Sequence, residues 1–418
     1  MRVALIAAYP PSAPAYAHRQ PNRSAALARA LAADGHRVTL YARQHADTPR
    51  TSILGRGASV EHVPAGPARP LPADQAARFA PQFAGYLADR WRVRRPDVVH
   101  AFSWVGGLVA LGAVRDTGTP VLQTFGSLGS MERRHAVGAD VSLARLRTES
   151  CVGRRVSAVL ASSSDEADEL ARLGVPKSAV RVIPGGVDVG LFSPAGNKVP
   201  RGGRFRLVAP ASGGQPHGLL AVVQALAQLP DVELVIVGGP DGRRLPRTGP
   251  WREVAQLAAQ LRLRSRITFA GLVPETELPA LLRSADLMVS ASRYEPTGLA
   301  AVQAMACGTP VVAAAVGAHN DVVVDGVTGQ LVAPEHPAML AHRVRLLLAR
   351  PVQLEALSIA AADRARSRYA LDRISRETAA AYEWCLRRQA GSAEEDAADA
   401  EASDDAPEAV ARVVAALG

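Results

Sequence analysis

A carboxylate that directly follows an apolar run is the residue in this chain best placed to bind a polar ligand. Glu295 comes after residues 286–291, where a buried strand would end, and a helix then begins. The backbone N–H groups of Thr297, Gly298 and Leu299 would lie at the positive end of that helix, where anions bind. The carboxylate can accept hydrogen bonds from hydroxyls, and the neighbouring amides can bind an anion. Together these groups suit a ligand in which a sugar is joined to a phosphate.

The same stretch also has a purely structural interpretation. Glu295 could cap the helix, and Gly308-Thr-Pro310 could be a simple turn. Eight residues beyond Glu295, where a second carboxylate would lie near the same end of the helix, the chain has an amide, Gln303. An amide oxygen still accepts a hydrogen bond, so Gln303 remains a candidate for contact with a ligand.

A glycine-rich segment is a second candidate for binding phosphate. It follows the apolar run 205–209 and leads into the helical stretch 219–229. Free amides and the helix dipole would face an anion there. A plain strand-to-helix turn is the alternative, because the glycines match neither the dinucleotide nor the P-loop spacing. The candidate residues are Ser212, Gly213, Gly214, His217 and Gly218.

Short apolar runs alternate with helical ones in both halves of the chain, which predicts an α/β protein with two parallel sheets, each covered on both faces. Two doubly wound, Rossmann-like units in tandem would place a cleft between them, beyond the carboxyl ends of the strands. The predicted strands are residues 3–8, 38–42, 98–101, 121–125, 158–161 and 180–183, and then 205–209, 232–237, 267–270, 287–290, 311–314 and 329–332.

Turn-forming residues around 184–196 mark a domain boundary. We expect a first Rossmann-like domain over residues 1–190, a linker over 191–204 and a second Rossmann-like domain over 205–365. A terminal helix over 366–390 would pack back towards the first domain, and an acidic, disordered tail would cover residues 391–418.

Composition limits the classes of partner. The chain has 48% hydrophobic residues and a net charge of +9, and without its acidic tail it holds 47 basic and 31 acidic residues. Such a basic body favours anionic ligands. Nucleic acid is not expected, because only 4% of residues are aromatic and no recognition motif occurs.

Other features concern the compartment and a rival enzyme class. No apolar run reaches the length of a membrane span, and three widely spaced cysteines suit a reducing compartment, so a cytoplasmic protein is expected. A nicotinamide-dependent oxidoreductase would fit the alternating strands. It is not favoured, because no G-x-G-x-x-G follows the first strand of either unit.

The segment Glu295-Pro-Thr-Gly-Leu299, with Gln303 and the run Ala304-Met-Ala-Cys-Gly-Thr-Pro-Val-Val312, closely resembles the donor-site signature of retaining glycosyltransferases of family 4. Further segments are similar to the branch that contains sucrose-phosphate synthase-like and mycothiol glycosyltransferases, and the resemblance extends over roughly residues 1–388. These segments are Gly35-His-Arg-Val38, Arg95-Pro-Asp-Val-Val-His-Ala101, Arg133-Arg-His135, Pro184-Gly-Gly-Val-Asp188 and Asp325-Gly-Val-Thr-Gly329.

The resemblance implies the two-domain GT-B fold and a nucleotide sugar as donor co-substrate. It also implies that residues 1–190 form the acceptor side and that residues 205–365 bind the nucleotide sugar. The acceptor would be a sugar or another small molecule, and neither a metal ion nor a further cofactor would be required. Glu295 would be the catalytic residue on the donor side. The resemblance also implies that the glycine-rich loop and residues 297–303 bind the donor.

Four departures from the family pattern fall at this site. Ser212 and His217 stand where the family has an Arg and a Lys that hold the diphosphate, and Gln303 replaces a second Glu. Gly126, in Thr124-Phe-Gly-Ser127, occupies the position of a family His that faces the donor sugar. The N-terminal glycine loop of the family corresponds to residues 18–22, where Arg19 could restore a positive charge.

The acceptor side contains a cluster of basic residues, Arg133, Arg134 and His135. The cluster could bind an anionic acceptor such as a sugar phosphate, or it could be a solvated surface group. Two functions follow from these residues. One is an active retaining glycosyltransferase, and the other is an impaired relative that binds a nucleotide sugar or glycan, or supports a partner glycosyltransferase.

Overall fold

The structure is a computed structural model, and it describes most of the 418 residues. Residues 21–22 and 391–403 are described by their backbone alone. The candidate residues Arg19, Ser212, Gly213, Gly214 and His217 lie outside the described part of the chain. The described ranges are 1–7, 21–45, 48–135, 141–211, 216, 218–246 and 248–403.

The first half of the chain forms an eight-stranded sheet in the order β3-β4-β2-β1-β5-β6-β7-β8. All neighbouring strands run parallel except β3 and β4, which form an antiparallel pair at one edge. Almost every residue of the central strands is buried, as expected for a sheet covered on both faces. The strands are β1 Arg2–Ala7, β2 Arg37–Arg43, β3 Thr51–Gly55, β4 Ala58–Val63, β5 Val98–Phe102, β6 Val121–Thr124, β7 Ala158–Ala161 and β8 Val180–Val182.

Helices cover both faces of this sheet and separate its parallel strands. Their apolar sides form two buried clusters, one on each face. The helices are α1 Pro21–Ala33, α2 Ala73–Ala77, α3 Ala80–Val93, α4 Ser103–Ala113, α5 Gly129–Arg134, α6 Leu143–Arg155 and α7 Ser164–Arg172.

The second half forms a six-stranded parallel sheet in the order β11-β10-β9-β12-β13-β14. The strand order reverses between β9 and β12, which is the switch point at which doubly wound folds bind ligands. The strands are β9 Phe205–Pro210, β10 Val232–Val237, β11 Ile267–Gly271, β12 Leu287–Ser290, β13 Val311–Ala314 and β14 Gly329–Val332.

The helices of the second half continue to the end of the described chain. The last two of these helices are long and meet at Ala370. The helices are α8 Leu219–Leu226, α9 Pro250–Gln260, α10 Leu278–Arg283, α11 Leu299–Ala306, α12 His319–Val322, α13 Pro337–Leu348, α14 Pro351–Tyr369 and α15 Leu371–Ser403.

The last helix, α15, packs against the first domain beside α1. Tyr382 is fully buried there, and its hydroxyl lies 2.7 Å from Nδ1 of His100 on β5. The opposite ring nitrogen of His100 lies 2.9 Å from the hydroxyl of Thr124 at the end of β6. Burial lowers the pKa of His100 to about 3, so the imidazole is neutral at ordinary pH.

Most of the predicted strands agree with the structure to within one or two residues. The strands β3 and β4 were not predicted. A disordered tail is expected from residue 391, whereas α15 continues to Ser403. Alanine-rich sequence has the highest intrinsic helix propensity, which explains the continuation of the helix into acidic sequence.

Two further observations concern the state of the cysteines and the length and polarity of the helices. Cys151, Cys307 and Cys385 are free thiols, and burial raises the pKa of Cys307 to about 12 and that of Cys385 to about 11. Within the described ranges, no helix has the length and apolar character that crossing a membrane requires.

Candidate functional site

The two loops at the switch point of the second sheet touch each other. Gly218, which has φ +79° and precedes α8, lies against the loop after β12. A Cβ atom at Gly218 would be 2.2 Å from the carbonyl oxygen of Ala291, so only glycine fits this approach. The end of the glycine-rich loop therefore lies beside the loop that contains Glu295.

The Glu295 carboxylate points at the start of α11. Its Oε1 accepts hydrogen bonds from the backbone N–H of Gly298 at 3.1 Å and of Thr297 at 3.3 Å. The side chain is only 8% exposed. Glu295 therefore caps α11, and a phosphate that uses the amides of Thr297 and Gly298 would have to take them over from this carboxylate.

Two more predicted donor-binding residues lie on α11. The N–H of Leu299, the first residue of the helix, is 3.5 Å from Oγ1 of Thr297, which is the longest of these contacts. Gln303 is half-buried one turn further along, and its amide makes no hydrogen bond with the described residues. Its amide is thus available to a ligand.

A third loop, after β13, encloses Glu295 from the other side. The N–H of Ala318 donates to the carbonyl oxygen of Glu295 at 2.8 Å. Gly317 has φ +50°, and a Cβ atom there would be 2.2 Å from the same oxygen. His319 follows at the start of α12, is 1% exposed, and lies 3.0 Å through Nδ1 from the carbonyl oxygen of Ala314.

The first domain contacts the donor-side loops directly through Tyr294. This ring is 2% exposed and packs within the apolar cluster of the first domain. It stacks on the ring of His135, with centroids 5.6 Å apart and planes at 4°. The Tyr294 hydroxyl lies 3.8 Å from Sδ of Met131 on α5. Tyr294 is therefore held by Met131 of α5 and by His135, the residue that directly follows this helix.

A second contact between the domains lies at the start of α7. The backbone N–H of Ser164 donates to Oδ2 of Asp321, on α12, at 2.7 Å. A carboxylate at a helix N-terminus is stabilised by the free amides and the helix dipole. The loop after β13 is thereby attached to the first domain two residues beyond His319.

The three residues of the basic cluster predicted on the acceptor side differ in the contacts that their side chains make. Arg134 forms an ion pair of 2.5 Å with Glu169, which is buried and also binds Arg172. Arg133 is exposed, and its side chain has no ion-pair partner among the described residues. His135 is stacked on Tyr294. The three residues therefore lie in three different environments.

Arg145, which the sequence analysis did not single out, connects α6 to the wall of the cleft. It pairs with Glu132 at 2.9 Å and with Glu149 at 2.7 Å. Its guanidinium also lies 3.4 Å from Oγ of Ser127, in the loop after β6. Although burial opposes it, these two carboxylates raise the pKa of Arg145.

Gly126 lies in that same loop and has φ +76°. This left-handed conformation strains any other residue. The imidazole of the family pattern is thus missing from a position where the backbone now favours glycine. The described structure instead places two other imidazoles near Glu295, one stacked on Tyr294 and one on the loop after β13.

Four residues at this site could not be recognised from the sequence. Tyr294 and Asp321 contact the other domain. Arg145 pairs with Glu132 and Glu149, and His319 contacts the carbonyl oxygen of Ala314. Only Tyr294 offered a local signal, because it is an aromatic residue directly before Glu295.

Comparisons with known proteins agree with this architecture. The family model described as Glycosyltransferase Family 4 matches residues 22–191, and the one described as Glycosyl transferases group 1 matches residues 214–364. A protein from Catenulispora acidiphila named D-inositol 3-phosphate glycosyltransferase 1 is 34% identical over 79% of this chain and 82% of its own length. A protein of the same activity name from Acidothermus cellulolyticus is 32% identical over 78% of this chain and 76% of its own.

Solved structures give the same result for the fold. Sucrose-phosphate synthase from Thermosynechococcus elongatus has a TM-score of 0.82 and 27% identity, over 94% of this chain and 100% of its own. The Anabaena protein HepE, solved with UDP-glucose, has a TM-score of 0.69 and 21% identity, over 91% of this chain and 98% of its own.

The expected fold class is thereby confirmed: two Rossmann-like parallel sheets are arranged as in GT-B proteins. The two family matches together span most of the chain, one on each domain. The chain belongs to the family 4 glycosyltransferases with the GT-B fold.

Proposed function

We propose that this protein transfers a hexose from a nucleotide sugar to a small polyol or sugar acceptor, with retention of the anomeric configuration. The observation that carries the proposal is the position of Glu295. It lies at the switch point of the second sheet, at the start of α11 and beside Tyr294, the residue packed against the first domain.

A uridine diphosphate sugar is the donor class that we favour. HepE, which shares the fold, was solved with UDP-glucose. In the proposed complex the diphosphate lies at the start of α8 and α11, where free amides and helix dipoles favour anions. Glu295 accepts hydrogen bonds from hydroxyls of the sugar, and Gln303 contacts the nucleotide.

The proposed transfer depends more on stabilising the charge of the transition state than on a reactive side chain. In a retaining transfer the transition state resembles an oxocarbenium ion while the diphosphate leaves. The acceptor hydroxyl must approach on the same face as the leaving group, and closure of the two domains supplies that orientation. Neither a metal ion nor a covalent nucleophile has a part in this proposal.

The acceptor is proposed to be an anionic polyol. Curated relatives carry the name D-inositol 3-phosphate glycosyltransferase. Among the described arginines of the predicted cluster, Arg133 is exposed and has no ion-pair partner, whereas Arg134 and, on α6, Arg145 pair with buried carboxylates. One unpaired guanidinium suits a single phosphate group.

The proposal is tested by incubating the protein with UDP-glucose and a set of free and phosphorylated polyols, and by measuring the release of UDP. We expect release to increase with at least one phosphorylated polyol. Proton NMR of the product should show the α-anomer from an α-linked donor. Release that no acceptor increases, or an inverted product, would contradict the proposal.

One observation favours a second candidate function, a pseudo-glycosyltransferase that binds a nucleotide sugar or glycan, or supports a partner enzyme. Glu295 already binds the amides of Thr297 and Gly298 through Oε1, and Gly126 supplies no imidazole. Binding of UDP-glucose without transfer or hydrolysis, under the conditions above, would support this alternative.

A further inference from the structure

A cavity of about 720 Å³ lies at the outer edge of the second domain, beside β11. Its walls are α9, the beginning of β11 and the segment 241–245, which follows β10. Small-molecule sites in proteins have volumes of about 300 to 1,000 Å³, so this cavity is large enough to hold such a ligand. The proposed transfer gives it no role.

Apolar side chains form part of the cavity lining. Ile267 and Ala258 are buried in the core of the second domain, and Phe269 packs against that core from β11. Trp251 of α9 meets Phe269 edge-on, with ring centroids 6.5 Å apart and planes at 68°. A lining of this kind favours the apolar part of a ligand.

The segment 241–245 is fixed against the edge of β11 by its backbone. The N–H of Gly242 donates to the carbonyl oxygen of Phe269 at 3.1 Å. Asp241 forms an antiparallel bridge with Ala270. The segment thus covers the edge strand and forms one wall of the cavity.

Two guanidinium groups at the cavity are available to a ligand. Arg243 and Arg264 are exposed, and neither side chain has an ion-pair or hydrogen-bond partner among the described residues. Asp241 is the acid among the described lining residues. Its Oδ1 accepts a hydrogen bond from the N–H of Arg243 at 2.8 Å, and its Oδ2 lies 3.8 Å from Nε of Arg244. The carboxylate is therefore engaged within its own turn, and the two unpaired arginines favour an anion.

We propose that this cavity is a second ligand site, which binds a small organic anion. The apolar body of the ligand packs on Ile267 and Phe269, and its carboxylate, sulfonate or phosphate group faces Arg243 and Arg264. Arginine is well suited to such groups, because its planar guanidinium can donate two parallel hydrogen bonds to them.

The position of the cavity separates it from the proposed donor site. The donor-site loops follow β9 and β12, whereas β11 is the edge strand and β10 lies between it and β9. Arg264 lies in the turn before β11, at the opposite end of the parallel sheet from the donor-site loops. The inference therefore goes beyond the proposed function and does not depend on it.

The test uses two fluorescent probes that share the same aromatic rings. One is 8-anilinonaphthalene-1-sulfonate, an anion that fluoresces when it binds apolar surface. The other is N-phenyl-1-naphthylamine, which lacks the sulfonate and is neutral. We expect the full-length protein to bind the anionic probe more tightly than the neutral one. Excess UDP should leave both affinities unchanged.

Variants of the lining separate the role of charge from that of the cavity. Arg243→Gln and Arg264→Gln should each weaken the anionic probe about tenfold, the size of one hydrogen bond to a charged group, and leave the neutral probe unchanged. Ala255→Trp fills the cavity from α9 and should weaken both probes. Arg252→Gln is the matched control, because Arg252 is also exposed on α9 and does not line the cavity.

Urea unfolding shows which variants are folded, and the arginine variants decide the question if Ala255→Trp is not. Equal losses of the anionic probe in Arg252→Gln and in the lining variants would assign the attraction to net charge and overturn the proposal. Unchanged binding in a folded Ala255→Trp variant, or displacement of the probes by UDP, would also overturn it. Loss of the anionic probe alone in Arg243→Gln and Arg264→Gln supports an anion site in this cavity.

Discussion

The ring of His135 lies flat on the ring of Tyr294, with centroids 5.6 Å apart and planes at 4°. His135 belongs to the first domain, and Tyr294 directly precedes the proposed sugar-binding carboxylate of the second. The pair therefore couples the position of α5 to the geometry of the donor site. A displacement of the first domain must move or uncover this ring.

Tyr294→Ala should both destabilise the protein and weaken the donor site. Removing a buried aromatic side chain costs about 3 to 5 kcal/mol of the free energy of unfolding. Tyr294→Phe retains the ring and its stack on His135 and removes the hydroxyl that contacts Met131, so it should cost less than Tyr294→Ala. Urea unfolding and UDP-glucose affinity check both variants. Equal donor affinity in the alanine variant and the wild type would show that Tyr294 does not contribute to the donor site.

Glu295→Gln should weaken UDP-glucose more than UDP. The amide oxygen still caps α11, whereas the charge that strengthens hydrogen bonds from sugar hydroxyls is lost, at a cost of about 1.5 kcal/mol or more. Calorimetry on both ligands measures the difference. Glu335→Gln is the control, because Glu335 is an exposed carboxylate that pairs with Arg293. Equal losses for UDP and UDP-glucose would remove Glu295 from contact with the sugar.

Ser212→Arg combined with His217→Lys should tighten the binding of UDP. Two cations at the start of α8 would restore charge-assisted hydrogen bonds to the diphosphate, worth about 3 kcal/mol or more together, and would make binding more sensitive to salt. Both positions lie outside the described residues, so this prediction rests on the sequence resemblance.

The control for that experiment is Ser265→Arg with Gln260→Lys, which adds the same charge at exposed positions before β11. UDP affinity is measured at low and high salt for both double variants. An increase of the same size in the control would mean that net charge alone is responsible. No increase in either protein would place the loop away from the phosphates.

Glu166 should make the stability of the fold depend on pH. It is 2% exposed, and burial raises its pKa to about 7, against the opposing effect of Arg23. A raised carboxyl pKa means that the folded state holds a proton which the unfolded state has released. Stability from this group is therefore complete below the ordinary pKa of the carboxyl and is lost as pH rises to about 7.

Glu166→Gln should remove this dependence, because the amide oxygen can still accept from the N–H of Ser162, as Oε2 does at 2.6 Å. The variant and the wild type should match in acid. Above about pH 7 the variant should be more stable by about 3 kcal/mol at most. Urea unfolding at several pH values checks this, and curves that stay parallel throughout would contradict a buried, protonated Glu166.

Much of the fold could be predicted because its signals are local. Short apolar runs bounded by turn residues located almost all the parallel strands, and the run 286–291 followed by Glu295 located the carboxyl end of β12. The strands β3 and β4 were missed. Both are mixed in character, and β3 forms an exposed, antiparallel edge that lacks a continuous apolar run.

The contacts that complete the candidate site could not be predicted, because they depend on how separate elements pack against one another. Asp321 binds Ser164 of the other domain, and Arg145 pairs with Glu132 of α5 as well as with Glu149 on its own helix. Nothing in the local sequence of Arg134 shows that it pairs with Glu169. Whether a charged side chain is paired depends on the tertiary structure. Of the two arginines in the predicted basic cluster, Arg134 is paired, and Arg133 has no ion-pair partner among the described residues.

The central claim is that the loops around Glu295 hold a nucleotide sugar and release its sugar by retaining chemistry. It is tested most directly by calorimetric titration of the wild-type protein with UDP-glucose and with UDP, followed by NMR of the incubated donor in the presence of a chelator. The account predicts tighter binding of UDP-glucose than of UDP, and slow release of glucose first seen as the α-anomer. Absence of binding by UDP-glucose and by ADP- and GDP-linked sugars, or first release of the β-anomer, would contradict it.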